Sequence, residues 1–368
     1  MKKLVSLALA VMMIFVLAAC SKPDPAPVAD PTPAAPDTPS TPAETDPATP
    51  AEPDGYYATS TDKYDLKFAV TPAENTAWAM GAQKLADIVA ERTNGNVKIT
   101  VYANETLAGG NQSKGVEMIM QGVTDLDAHS NIIYTVMNES YGVASLPFMY
   151  KNEVEAYDQL MGPAGDYYRD LLEKDGLVLL GFGENGMRQL TTNKAINSVE
   201  DLKGQKIRVP GMQILLAVFE KLGCNPISMN FAEVFTALQQ GAIDGQENPY
   251  DIIQGNMLYE VQDYLILWNY CYDCLFYTIN KNLFDSMPAD YQQIILEAGA
   301  EATKYQVELA RSRADEQLKF FEENGMTIIR PTEEAAASYK EAGDYMKELY
   351  RSPDKFGAEL IDLFTPAS

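Results

Sequence analysis

The chain has 368 residues, with 28 lysines and arginines against 52 aspartates and glutamates, a single histidine and a formal net charge of −24. That charge argues against a nucleic-acid partner and against an anionic membrane face. It leaves an anionic ligand open, because a few buried arginines set the local potential inside a closed cleft.

Residues 1–20 read as an export signal: Lys2 and Lys3 form a basic start, Leu4 to Leu17 an apolar run, and Leu17-Ala18-Ala19-Cys20 a small-residue cleavage site. The apolar run falls short of the roughly 20 residues that span a bilayer. A cysteine directly after such a site resembles a bacterial lipobox, with Cys20 acylated as the mature N-terminus. The expected location is therefore the outer face of the cytoplasmic membrane, lipid-anchored, on its periplasmic or extracellular side. Residues 21–60 form a tether. Ser21 to Gly55 holds 11 of the chain's 21 prolines, with Ala, Thr and Asp between them and nothing aromatic or aliphatic beyond Val28, so it cannot offset its own ordering entropy.

The remaining 308 or so residues are too many for one core of typical size, and two domains are expected. Asp65 to Val70 is a first strand, and Asn75 or Thr76 caps the helix carrying Trp78, Leu85, Ile88 and Val89 at helical spacing. Val97 to Tyr102 is a strand, Asn111 to Gln121 a helix and Val123 to Ala128 a strand. Asn152 and Glu155 have capping-box spacing, and Leu177 to Phe182 is an apolar strand. The alternation predicts βαβ units on a largely parallel sheet.

That strand runs into Gly181-Phe-Gly-Glu-Asn-Gly186, a literal GxGxxG. A dinucleotide site needs a helix opening at the last glycine; here Met187 to Thr192 are β-prone, and the glycines fit a crossover into a second domain. Two arginines follow. Arg188 and Arg208 lie in short strand-like runs, Arg208 just before Pro210 and Gly211. A guanidinium held on a strand end offers a planar fork suited to a carboxylate, and a surface ion pair is the alternative.

Further on, Ser198 and Asp201 frame one helical turn, Lys206 to Val209 is a strand, Gln213 to Leu222 a helix and Asn225 to Met229 a strand. Asn230 and Glu233 have capping-box spacing ahead of a helix to Gln240. Ile243 to Glu247 then leads to Asn248-Pro249, which starts another helix. The chain returns through Tyr264 to Asn269 and Leu275 to Asn280. Cys271 and Cys274 share that extended run, where their Cα atoms would stand about 10 Å apart, beyond disulfide reach. With only His129 to assist, no zinc site can be assembled either. Ala289 to Asn324 reads as one helix across both lobes, with a break at Gly299 as the alternative. Met326 to Arg330 is a strand and Thr332 to about Arg351 a last helix.

The lipobox, the stretch ENGMRQLTTNKAINSVEDLKGQKIRVP (184–210), the stretch NFAEVFTALQQGAIDGQENP (230–249) and YEVQDY (259–264) together resemble the solute receptors of TRAP transporters, the DctP type. The resemblance runs from about Tyr64 to the end of the long helix. It implies an α/β fold of the two-lobed, type II periplasmic-binding-protein kind. Hinge strands would join the lobes and a long C-terminal helix would span both. Lobe I would be 61–185 plus 274–313, and lobe II 186–273 plus 314–368.

It also implies a monomeric receptor rather than an enzyme, without cofactor or metal, that passes a small organic acid to a permease of one large and one small membrane subunit. Arg208 matches the clamping arginine and Arg188 an auxiliary one. Asn248 matches an amide on the same carboxylate, Phe231 a cleft aromatic, and Asn75 a ligand-contacting polar residue. The chain departs from sialic-acid-binding members: Ser130 beside His129, and Asn111 or Gln112, stand where those have acids. Trp268-Asn269-Tyr270 replaces an asparagine–histidine pair, and with Trp78, Phe231 and Tyr272 it suggests an aromatic cleft. Dicarboxylates, sugar acids and keto or aromatic acids all remain open. A receptor feeding a sensor kinase, or an exported enzyme acting on an organic acid, are the alternative functions.

Overall fold

The computed structural model describes residues 56–366. The signal segment, Cys20 and the tether up to residue 55 lie outside the described residues. In chain order the elements are β1 (Tyr64–Val70), α1 (Ala77–Arg92), β2 (Val97–Tyr102), α2 (Gln112–Met120), β3 (Leu126–Ser130), α3 (Asn131–Tyr134), α4 (Glu153–Leu160) and α5 (Pro163–Lys174). Then come β4 (Leu177–Thr192), α6 (Val199–Leu202), β5 (Lys206–Val209), α7 (Gln213–Lys221), β6 (Asn225–Ser228), α8 (Phe231–Gln239), β7 (Gly245–Asn248) and α9 (Tyr250–Gly255). The chain closes with β8 (Tyr264–Asn280), α10 (Lys281–Ser286), α11 (Ala289–Glu323), β9 (Thr327–Ile329), α12 (Glu333–Tyr350) and α13 (Ala358–Phe364).

The strands join in the order β2-β1-β3-β8-β4-β7-β5-β6, with β9 added to β8. The two long strands make this one sheet out of two. The C-terminal half of β8 pairs with β3 and with the first half of β4. The N-terminal half of β8 pairs with β9 and with the second half of β4, which also carries β7. Each half is an α/β lobe, and β4 and β8 are the hinge strands between them. The sheet is less parallel than the sequence suggests: β3–β8, β4–β8 and β4–β7 are antiparallel, because a second hinge strand must bring the chain back against the first. For the same reason β8 is one strand of 17 residues rather than two segments. Likewise β4 continues past Phe182 for 16 residues in all. Register shifts fall at Leu179/Gly181, Glu184/Gly186 and Arg188/Leu190.

Helix α11 runs unbroken for 35 residues, about 52 Å at 1.5 Å per residue. Its first half buries Ile294, Ile295, Ala298 and Ala302 against β1, α1 and Tyr277. Its last turns bury Phe321 with Val234, Leu238 and Ile253 of the other lobe. Gly299 is no break. A Cβ there would stand 2.6 Å from the Cβ of Leu180 and 2.7 Å from its carbonyl oxygen, so the glycine lets the helix lie directly on β4. Gly181 and Gly183 do the same from the strand side, against Thr303 and Gln306. The GxGxxG thus serves helix–strand approach at the hinge.

Local signals resolve as follows. Thr76, not Asn75, caps α1, accepting from the Ala79 amide at 3.2 Å. The third strand starts three residues later than Val123, which is half exposed beyond Gly122, a residue in the left-handed region at φ 69°. The tether's last residues belong to the folded body: the amides of Thr59 and Ser60 donate to Asp290 at 2.8 and 2.7 Å. Cys224, Cys271 and Cys274 are buried free thiols.

Candidate functional site

Where the two lobes face each other, a cavity of about 30 Å³ remains, roughly one water's share of liquid volume. The first lobe lines it with Thr71, Pro72, Trp78, Gln112, Ser130, Ile132 and Ile133. The second contributes Arg208, Pro210, Phe231, Asn248 and Ile252, and the hinge strands supply Asn185, Arg188 and Asp273. Ile132 and Ile133 arrive there because Ser130 ends β3 and caps α3, accepting from the Ile132 amide at 3.1 Å. Arg208 arrives because β5 ends at the cavity and Pro210 cannot continue the ladder.

The two arginines have different surroundings, although both are almost fully buried. Arg188 is paired with two carboxylates. Its Nε bonds Glu247, its Nη1 bonds Asp273, and its Nη2 donates to the Glu247 carbonyl at 2.7 Å, to Glu247 Oε1 at 2.9 Å and to Asn248 Oδ1 at 3.0 Å. Burial alone would lower its pKa, but Glu247 and Asp273 outweigh that and hold it well above the ordinary value. Glu247 is completed by the Tyr270 hydroxyl at 2.6 Å. Asp273 also accepts from the Ser130 hydroxyl and from Asn185 Nδ2 at 2.8 Å.

Arg208 is 2% exposed, and among the described residues no carboxylate comes within ion-pair distance of it. Its Nε and Nη2 donate to the Met229 carbonyl at 3.1 and 2.8 Å, its Cζ lies 5.6 Å from the Phe231 ring centroid, and among the described residues Nη1 has no hydrogen-bond partner. Burial pushes its pKa down to about 10, only partly offset by Glu247. A buried guanidinium without a counter-charge is costly. Chemically, the arrangement can receive one carboxylate at Arg208, flanked by Asn248, whose Nδ2 gives one hydrogen to Gln246 Oε1 at 2.6 Å and keeps the other.

The structure thus brings Arg208, Arg188, Asn248, Phe231 and Ser130 of the expected set together. It leaves four outside. Asn75 is exposed ahead of α1 and uses its backbone carbonyl to receive Arg313 at 3.3 Å. His129 sits behind the cavity on β3, its Nδ1 2.6 Å from Asp127 and its Nε2 2.7 Å from Glu105. Burial would discharge this imidazole, but Glu105 and Asp127 hold its pKa up to about 10.

Tyr270 is a core residue bound to Glu247, and Trp268 packs on Phe148, Phe219 and Tyr339. Tyr272 is buried too, its hydroxyl donating to Glu184 at 3.1 Å. Trp268 lines a different and larger cavity of about 590 Å³ beside α12. There Lys151 and Lys340 are surface side chains paired with Glu155 and Asp344, and Lys347 is only half-buried, so among the described residues no fully buried lone charge marks that space as an anion site.

Sequence reasoning missed Glu247, Asp273 and Asn185. One of them had a signal: an acid inside an apolar strand has to be paired, and Asp273 lies within Cys271-Tyr-Asp-Cys-Leu-Phe276.

Comparison with known proteins matches residues 68–353 to the DctP family, described as bacterial extracellular solute-binding protein, family 7. The 2,3-diketo-L-gulonate-binding periplasmic protein YiaO of Escherichia coli is 29% identical over 307 residues, 83% of this chain and 93% of that protein. The C4-dicarboxylate-binding periplasmic protein DctP of Vibrio cholerae is 31% identical over 309 residues, 81% of this chain and 89% of that one. Among solved structures, the sugar acid binding protein DctPAm of Advenella mimigardefordensis, in complex with galactonate, superposes with a TM-score of 0.79 at 28% identity. It covers 84% of this chain and 100% of its own.

Proposed function

The chain belongs to the DctP family of bacterial extracellular solute-binding proteins, receptors and not enzymes, and from that premise we propose that it captures a small organic carboxylate between its lobes and delivers it to a TRAP-type permease. The observation that carries the proposal is Arg208, a buried guanidinium facing the interlobe cavity with a donor group left over and no carboxylate of its own. A bidentate carboxylate would supply the missing charge. Asn248 would add an amide, and Phe231 would cover the arginine's face. Arg188 holds Glu247, Asp273 and Asn248 in place behind it.

On this reading the lobes are 61–185 with 274–313 and 186–273 with 314–368, and the ligand enters by hinge opening at β4 and β8. Cys20 would carry the lipid anchor, with 21–60 as spacer. The likeness to YiaO, DctP and DctPAm supports an organic acid as the ligand.

A thermal-shift screen of organic acids, with native mass spectrometry of the protein as purified, tests the proposal. An acid that raises the melting temperature of wild type and not of Arg208→Met is expected. An acid bound equally by both would overturn it.

A further inference from the structure

We propose that the ligand is a hydroxylated monocarboxylate and that dicarboxylates are rejected; this rests on the carboxylate-capture reading above. The inference comes from the charges that the closed cleft presents. Of the residues lining the cavity, Arg188, Arg208 and Asp273 are charged. Arg188 is committed to Glu247, Asp273 and Asn248. One cation therefore remains for a ligand, and it takes one carboxylate.

The space into which a longer ligand would extend is a second cavity of about 400 Å³, which shares Thr71, Gln112 and Phe231 with the first. Its other polar lining is Asn104, Glu105 and Asn256, with no lysine or arginine. His129, behind the wall, already has both ring nitrogens on Asp127 and Glu105. A second carboxylate would thus lie between two acids already paired with Arg188 and His129, with no lysine or arginine in the lining left to pair it.

The same groups suit hydroxyls. Asp273 receives three donors, from Ser130, Asn185 and Arg188, and a carboxylate has about four acceptor sites. Glu105 Oε1 is buried against Gly115, so of the two acids it is Asp273 that keeps an acceptor site towards the ligand. Thr71, Gln112, Asn104 and Asn256 add neutral polar groups along the wall. A ligand hydroxyl can donate to Asp273, whereas a second carboxylate can only accept.

The test uses matched pairs in which one end of the same carbon skeleton is either alcohol or acid: galactonate against galactarate, and 4-hydroxybutyrate against succinate. Calorimetry on wild type should give the monocarboxylate at least about tenfold tighter binding in each pair that binds. Gln112→Lys, which places a cation where the two cavities meet, should narrow or reverse the gap.

If the diacid binds as tightly as its partner and Arg208→Met abolishes both, the inference falls and carboxylate capture stands. If neither pair nor a wider acid panel binds, and the protein as purified carries no acid, the capture reading falls and takes the inference with it.

Discussion

Replacing each buried arginine by methionine separates a ligand clamp from a structural cation. Arg208 faces no carboxylate, and the fall of its pKa from 12.5 to about 10 corresponds to roughly 3 kcal/mol of cost for holding it charged. Arg208→Met relieves that cost and gives up the two N–H bonds to the Met229 carbonyl, a loss of about 1–3 kcal/mol. Ligand-free stability should therefore stay within about 2 kcal/mol of wild type.

Arg188→Met is different, because it leaves Glu247 and Asp273, both fully buried, without their cation. That should cost about 3–5 kcal/mol. For the ligand the order reverses. Two charged hydrogen bonds of about 1.5–3 kcal/mol each make Arg208→Met lose about 3–6 kcal/mol of binding, a factor on the order of 10²–10⁴. Urea unfolding without ligand, and calorimetry with the acid found by screening, measure both quantities. Equal destabilisation by the two variants, or ligand affinity retained in Arg208→Met, would refute the distinction between them.

Two further outcomes follow from groups outside the cavity. The folded pKa of His129 is raised from about 6.5 to about 10. Its contribution is thus fully present below about pH 6.5 and is lost as pH rises from there through about 10, on the order of 5 kcal/mol in all. Urea midpoints between pH 6 and 9.5 should fall in wild type and run flatter in His129→Gln; parallel curves would show that the imidazolium does not titrate on unfolding. Gly299→Ala should lower the melting temperature although alanine gains about 1 kcal/mol of helix propensity. The new Cβ would meet Leu180 backbone and side chain well inside contact distance, at a cost of about 1–3 kcal/mol. An unchanged or higher melting temperature would mean that α11 lifts off β4 freely.

Arg208's place at the cavity was legible in part because its flanks are local: a short strand and a proline that ends the ladder; its role as a clamp came from the family resemblance. What the sequence left undecided depended on partners far along the chain. Alternation along a strand gives two faces but does not name which one meets the cleft. Trp268 and Tyr270 thus read equally as cleft aromatics until Phe219, Tyr339 and Glu247 claim them.

A lone histidine beside Ser130 looked like a ligand group, and only Glu105, brought from the β2–α2 connection, shows it to be a buried ion pair. Gly299 was ambiguous for the same reason, since the contact that requires it is Leu180 on another element. The long strand β8 read as two because Asn269 and Asp273 interrupt its apolar run. Asn269 takes a positive φ of 46° and Asp273 is satisfied by Ser130, Asn185 and Arg188, so neither ends the strand.

On the proposed reading, the lone charge that anchors the ligand also restrains closure of the empty receptor. Bringing the lobes together sets Ile132 and Ile133 of the first lobe across the cavity from Arg208, and whatever share of the roughly 3 kcal/mol burial cost this adds disfavours an empty closed form, by at most about a hundredfold. A carboxylate removes the penalty only where both lobes surround it, so its affinity differs between open and closed forms, which is the condition for a ligand to shift that equilibrium.

The hinge keeps the change discrete. Gln306 on α11 is fixed to the Glu184 backbone through the amide and the carbonyl, each at 2.8 Å, and Arg311 reaches the Glu184 carboxylate at 2.8 and 2.7 Å. The helix is thus tied to β4 at the bulge where the lobes meet. Motion is left to the backbone around Gly186, at φ 106°, and to the strand halves on either side. A fully paired arginine at position 208 would still line the cleft, but closure would then proceed with or without cargo, and a transporter reading the closed form could not tell a loaded receptor from an empty one.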